Sequence, residues 1–237
     1  RLQGLHDKDV GEIMLQKRRQ QTQGSEFLPL HLHRIVAISV LLRSGKELKC
    51  WSLGQSDSSE AELVQRFFAG IEKYTPVLVS WNGGGFDLPV LHYRALLHGV
   101  TAATYWDVGD QDRDFRWNNY LSRYHWRHID VMDILALFNL RAAAALDQIA
   151  LMLGFPGKLG MDGGQVWQAY LHKDFEKIRN YCETDVLNTY LIYLRFELIR
   201  GRLSQDAYAD ENQLLRNMLT QAGDKPHWQH FLQEWSD

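Results

Sequence analysis

Apolar and polar positions along the 237-residue chain change period several times, and each change predicts an element. Asp7 to Gln20 is charged throughout and reads as a solvated helix. Beyond a polar stretch, Gln21 to Glu26, the run Arg34 to Leu42 is β-branched and apolar, the mark of a buried strand. Ser44-Gly45 is a turn signal, and Glu47 to Leu53 alternates like the returning strand of a hairpin. Ser58 or Ser59 can cap a helix over Ala61 to Lys73, with Leu63, Val64, Phe67, Phe68 and Ile71 on its apolar face. Val77 to Trp81 is a short strand, broken by Asn82-Gly83-Gly84-Gly85, and Asp87 to His98 returns to a helical period.

Residues 104–128 hold no clear period. His128 to Val131 reads as a strand, with Asp133 opening a helix. Helices follow at Ala142–Leu153, Gln165–Leu171 and Asp174–Arg200, and a glycine-rich loop, Lys158 to Gly164, separates the first two. Helices at Gln205–Gln221 and His227–Trp235 close the chain. A hairpin, then alternating helices and strands, then a helical tail, predicts an α/β fold. The predicted organisation is one α/β domain over residues 1–200 and a helical extension over 201–237.

Composition narrows the class. Apolar residues make up 45% of the chain and charged residues 23%, which supports a substantial core and argues against disorder. The net charge is −3, whereas a protein that coats nucleic acid by neutralising phosphates is strongly basic. A metal enzyme escapes that objection, because its cations sit on its own carboxylates. Two distant cysteines, Cys50 and Cys182, make neither a disulfide scaffold nor a zinc ribbon and fit a reducing cytoplasm. No apolar run reaches the ~18 residues of a membrane span, and the polar Arg1–Val10 stretch carries no signal peptide, so a cytoplasmic protein without membrane partners is expected. A P-loop, a G-x-G-x-x-G turn and an H-x-x-x-H zinc pair are all lacking in the sequence.

Two local features carry chemistry. The first is Trp81-Asn82-Gly83-Gly84-Gly85-Phe86-Asp87: a strand ends, glycines permit a tight turn, and an acid stands at the start of a helix. Taken alone, this is equally an ordinary turn with Asp87 as a helix cap. The second is Tyr181-Cys182-Glu183-Thr184-Asp185, where the tyrosine and aspartate share a helical face. Asp185 borders the apolar stripe of Val186, Leu187, Tyr190, Leu191 and Leu194, where an unpaired carboxylate is costly and a bound cation would relieve it. A surface tyrosine beside a solvated aspartate is the plain alternative.

In this order the two features resemble the N-x-x-x-F-D and Y-x-x-x-D motifs of the DEDDy 3′-5′ exonucleases. The stretch from Leu28 to about Arg200 resembles a bacterial group of predicted stand-alone exonucleases related to the proofreading domain of family B DNA polymerases. The run Phe27-Leu28-Pro29-Leu30-His31-Leu32-His33-Arg34 and the pair Asp130/Asp133 fit the same group. The resemblance implies an RNase H-like mixed β-sheet flanked by helices. It implies Asp87 and Asp185 as ligands of two Mg²⁺ or Mn²⁺ ions, and Tyr181 as the residue that orients the attacking water. Asn82 and Phe86 would line the pocket of the terminal nucleotide, with single-stranded DNA 3′ ends as the substrate; Phe86 is equally readable as core.

One part of the family pattern is absent. The first motif, D-x-E on the first strand, has no counterpart ahead of Arg34, and Asp174-Phe175-Glu176 lies too late and suits a helix N-terminus. Either an upstream segment supplies that strand or the site has lost it, and the retained Asp87, Tyr181 and Asp185 favour the former. The rival function is a noncatalytic RNase H-like module that binds nucleic acid or a partner. A family B polymerase fragment fits less well, since helices follow the last motif.

Weaker signals have two readings each. Between Tyr105 and His128, arginines at 113, 116, 123 and 127 interleave with Trp106, Phe115, Trp117, Tyr120, Tyr124 and Trp126, which suits single strands or a loop tucked onto the domain. Asp130 and Asp133 suit structural hydrogen bonding more than substrate contact. Lys158 reads as part of a connection before it reads as a phosphate contact, and Lys17-Arg18-Arg19 reads as a solvated face.

Overall fold

The computed structural model describes residues 4–236; residues 1–3, where the polar N-terminal stretch begins, and 237 lie outside the described residues. Helix α1 (Asp7–Thr22) buries none of its residues, as its charged pattern predicts. Its basic run is tied down at one end: Arg18 Nε donates to the Phe27 carbonyl at 2.8 Å and Arg19 pairs with Glu26.

Strands β1 (Ser39–Ser44) and β2 (Glu47–Ser52) form an antiparallel hairpin with Ser39 opposite Ser52 and Ser44 opposite Glu47. Leu48, Cys50 and Ser52 point inward in strict alternation. The apolar run from Arg34 becomes a strand only at Ser39, and the reason is local. The Ile35 amide donates to Glu60 Oε1 at 2.6 Å, so its hydrogen bond goes to a side chain and not to a ladder.

Helix α2 (Glu60–Tyr74) begins at Ser59, whose hydroxyl accepts from the Glu62 amide at 3.2 Å. It packs on α3 (Asp87–His98), and Val64, Phe68, Leu88 and Leu91 join across that contact. Tyr105 of the short α4 (Ala103–Trp106), Phe115 and Tyr120 complete this core. The aperiodic aromatic stretch therefore divides, with those three rings inside and Trp117, Tyr124 and Trp126 outside.

Strand β3 (Leu78–Ser80) pairs in parallel with β4 (His128–Asp130), Ser80 opposite Asp130. The next helix, α5 (Val131–Leu135), is capped by Asp130, so it opens two residues before Asp133. The predicted helix from Ala142 starts later, as α6 (Leu146–Met152). Leu140–Ala142 is a 3-10 turn instead, and the Trp81 indole donates to the Ala144 carbonyl at 3.2 Å. A short α7 (Val166–Leu171) leads to the long α8 (Phe175–Ile199), capped by Asp174.

Helix α8 lies against β1, β2 and β3. Among the described residues the strands thus form two small two-stranded sheets on one helix, with no ladder joining them. Helices α9 (Gln205–Gln221) and α10 (Pro226–Glu234) pack on α8, where Leu187, Leu191, Leu215, Leu219 and Phe231 are fully buried. Each such side chain contributes roughly 2 kcal/mol. Small sheets flanked by helices, with a helical C-terminal region, are an RNase H-like α/β arrangement. Among the described residues, no helix is long and apolar enough to cross a membrane.

Candidate active site

The turn between β3 and α3 is built around Asn82, whose φ of 61° lies in the left-handed region that asparagine tolerates. The Asn82 carbonyl accepts from the amides of Gly85 at 3.1 Å and Phe86 at 2.9 Å. Asp130 clamps the turn from the neighbouring strand: Oδ1 accepts from the Asn82 amide at 2.9 Å and Oδ2 from the Gly84 amide at 2.8 Å. Glycine is required at Gly83 for space, because a Cβ there would overlap the Ser80 side chain, which is itself hydrogen-bonded to His128 Nε2 at 2.8 Å.

This turn delivers Asp87 to the first position of α3. Asp87 is not the cap of that helix; Phe86 occupies the cap position without a side-chain bond. The acid keeps exposed surface yet stands among enough protein to push its carboxyl up, and the charges of Asp130 and Asp185 add to that effect. Phe86 is half-buried, with its ring 5.3 Å from His33 edge-on and 5.9 Å from Phe27. The Phe27–Arg34 run thus packs beside the turn.

Asp185 comes from α8, as does Tyr181 one turn earlier. Burial pushes the Asp185 carboxyl up to about 6, while a hydrogen bond from Tyr181 and the charge of Lys158 favour its ionised form. Its Oδ1 is buried without a hydrogen-bond partner. Tyr181 is shifted well above the ordinary phenol range, first by burial and then by the Asp185 charge, so it is a neutral hydroxyl at any physiological pH. An open cleft lined by Gly160, Met161, Thr184 and His227 lies beside it.

The fields of Asp87 and Asp185 meet, and Tyr181 joins them through Asp185. Asn82 stands on the same turn as Asp87. Asp130 serves as the structural clamp, and Asp133 pairs with Arg123 at 3.0 Å. Asp174 caps α8 by accepting from the Lys177 amide at 3.2 Å, as its position predicted. Sequence reasoning missed Asp147 in α6, whose charge opposes ionisation of Asp185 and whose Oδ1 accepts from the Lys158 amide at 2.7 Å. Nothing in its local pattern marks it.

An orphaned carboxylate oxygen within the field of a second carboxylate is the donor chemistry of a hard, oxygen-seeking divalent cation. Two such ions need more: among the described residues no three His, Cys, Asp or Glu side chains converge on one point.

Fold and site together define an RNase H-like α/β protein with one acid at the start of α3 and another on α8. The chain belongs to a family described as a predicted 3′-5′ exonuclease related to the exonuclease domain of PolB, whose pattern matches residues 25–235. It is similar to a DNA polymerase of Archaeoglobus fulgidus, 25% identical over 136 residues, which is 56% of this chain and 17% of the polymerase. It is also similar to DNA polymerase 1 of Sulfurisphaera ohwakuensis, 50% identical over 38 residues, 16% of this chain and 4% of that polymerase. The chain thus spans under a fifth of the length of either polymerase.

Proposed function

We propose that the protein is a metal-dependent 3′-5′ exonuclease of the DEDDy type that removes nucleotides from single-stranded DNA ends. The observation that carries this reading is the buried, unpartnered Oδ1 of Asp185 within the field of Asp87. An unmet polar atom of this kind costs about 1–3 kcal/mol unless a ligand satisfies it. Asp87 and Asp185 would hold Mg²⁺ or Mn²⁺, which when bound supplies charge neutralisation of the scissile phosphate and activation of water. Tyr181 stays protonated, so its role is to orient the attacking water by a hydrogen bond and not to take its proton. Asn82 and Phe86 flank Asp87 and would hold the terminal nucleotide, Phe86 through its ring face.

Two ions require two further carboxylates.

The second reading is a noncatalytic binding module, favoured by the lack of a three-ligand cluster among the described residues. One assay separates the two. With Mg²⁺ or Mn²⁺, the protein should shorten a 5′-labelled single-stranded DNA stepwise; EDTA should stop it, and Asp185→Asn should slow it about 10³-fold or more. Full activity in Asp185→Asn rejects the site. Metal-independent binding without degradation selects the module.

A further inference from the structure

We propose that the strip formed by the exposed Arg123, Tyr124, Trp126 and Leu137 and the half-buried Phe138 is a binding track for single-stranded DNA leading to the acidic site. The inference deepens the exonuclease reading and rests on it for the identity of the strand, but its geometry stands on its own.

Tyr124 is 73% exposed and Leu137 84% exposed, and Tyr124 and Phe138, the neighbour of Leu137, belong to one group of ring and guanidinium contacts. They are held in place. Phe138 meets Tyr124 edge-on at 5.4 Å, and the Arg123 guanidinium lies over the Phe138 ring at 4.6 Å while pairing with Asp133. From the end of α8, Arg200 covers the Trp126 ring at 3.9 Å while pairing with Glu197. Leu137 and Phe138 are consecutive non-glycine residues at φ 51° and 59°, a left-handed pair that costs energy. The Phe138 amide, bound to the Asp133 carbonyl at 2.7 Å, fixes the turn that holds Leu137 out in solvent.

Rings with guanidinium groups laid on them suit one occupant. Bases stack on the exposed faces and arginines meet the phosphates, in alternation along a strand.

The strip is fastened to the site at two points. Asp130 clamps Asn82 and Gly84 and caps α5, whose end bears the Leu137–Phe138 turn. Farther along, the Ala144 carbonyl accepts from Trp81, the residue just before Asn82. Both ends of the segment are thus anchored to the turn that carries Asp87.

The test is binding of a fluorescein-labelled dT20 to the full chain in EDTA, followed by anisotropy at several salt concentrations. Tyr124→Ala combined with Leu137→Ser, both at exposed positions, should weaken binding at least 10-fold with an unchanged melting temperature. Arg123→Ala should reduce the salt slope by about 1, and Arg123→Lys should restore it. Affinity within two-fold of wild type in the double variant overturns the proposal, as does failure of the wild-type chain to bind dT20. Because no hydrolysis is measured, a catalytically silent protein leaves this test intact. Conversely, an active exonuclease with unchanged dT20 affinity in the double variant rejects the track and retains the site.

Discussion

Glu183 and Asp185 stand two residues apart on α8, both acidic and both withdrawn from solvent, and their surroundings are opposite. Burial works against the charge of Glu183, but His227 at 2.8 Å, Lys225 at 3.0 Å and Ser52 at 3.0 Å overcome it and hold the carboxyl down to about 2. Asp185 receives a bond from Tyr181, keeps one oxygen with no partner, and is pushed up to about 6. The helix turns roughly 200° between them, so Glu183 meets Ser52 of β2 and His227 of α10 while Asp185 lies on another side, within reach of the Asp87 charge. A satisfied buried acid holds parts together; an unsatisfied one carries a polar cost that a ligand can relieve.

The comparison is broken most directly by neutralising each acid. Asp185→Asn should remove about 10³-fold of activity while leaving the melting temperature unchanged or higher, since a neutral amide no longer bears the cost of burying charge. Glu183→Gln should do the reverse in stability. Losing one partner of a buried ionic cluster costs about 3 kcal/mol, read by urea denaturation, and activity should fall only as far as the folded fraction does. Equal destabilisation by both substitutions would erase the distinction drawn between the two acids.

A smaller effect sharpens the other half of the site. Gly83→Ala puts a methyl group into the Ser80 side chain, which His128 holds in place, so the turn must shift. A displacement of this kind should cost about 2 kcal/mol in stability and about 10-fold in kcat or more, because Asp87 moves with the turn. Retention of full activity would show that the turn is not what positions Asp87.

Much of this was legible in the sequence where the cause is local. The helix Asp87–His98 was bounded correctly because its period and the glycines before it are both nearby signals. Asp87 and Asp185 each lie in a short motif on one element, and the charge of Asp185 reaches Asp87 in the structure. What stayed hidden depends on distant partners. Asp130 clamps amides 46 and 48 residues away, and nothing beside it in sequence predicts that bond. The Glu183 cluster draws its partners Lys225 and His227 from 42 and 44 residues on, and nothing beside Glu183 in sequence predicts them. The alanines from 142 to 145 favour helix locally, yet a 3-10 turn and the indole bond to Ala144 override that preference.

Glu60 extends the rule to an acid remote from the site, with the smallest effect. Burial disfavours its charge, but Arg94, His98 and the Ile35 amide donate to it and hold its carboxyl below the usual range. Its folded pKa is therefore lower than its unfolded one. The stability it contributes is complete above the unfolded value, ~4.3, and is lost as pH falls through the lower folded value. Glu60→Gln should accordingly lower stability by about 1 kcal/mol at neutral pH, and the gap from wild type should narrow in urea melts taken below about pH 4. If the gap stays constant across that range, the Glu60 cluster is held by shape and not by charge, and the equation of satisfied acids with structural anchoring fails at this position.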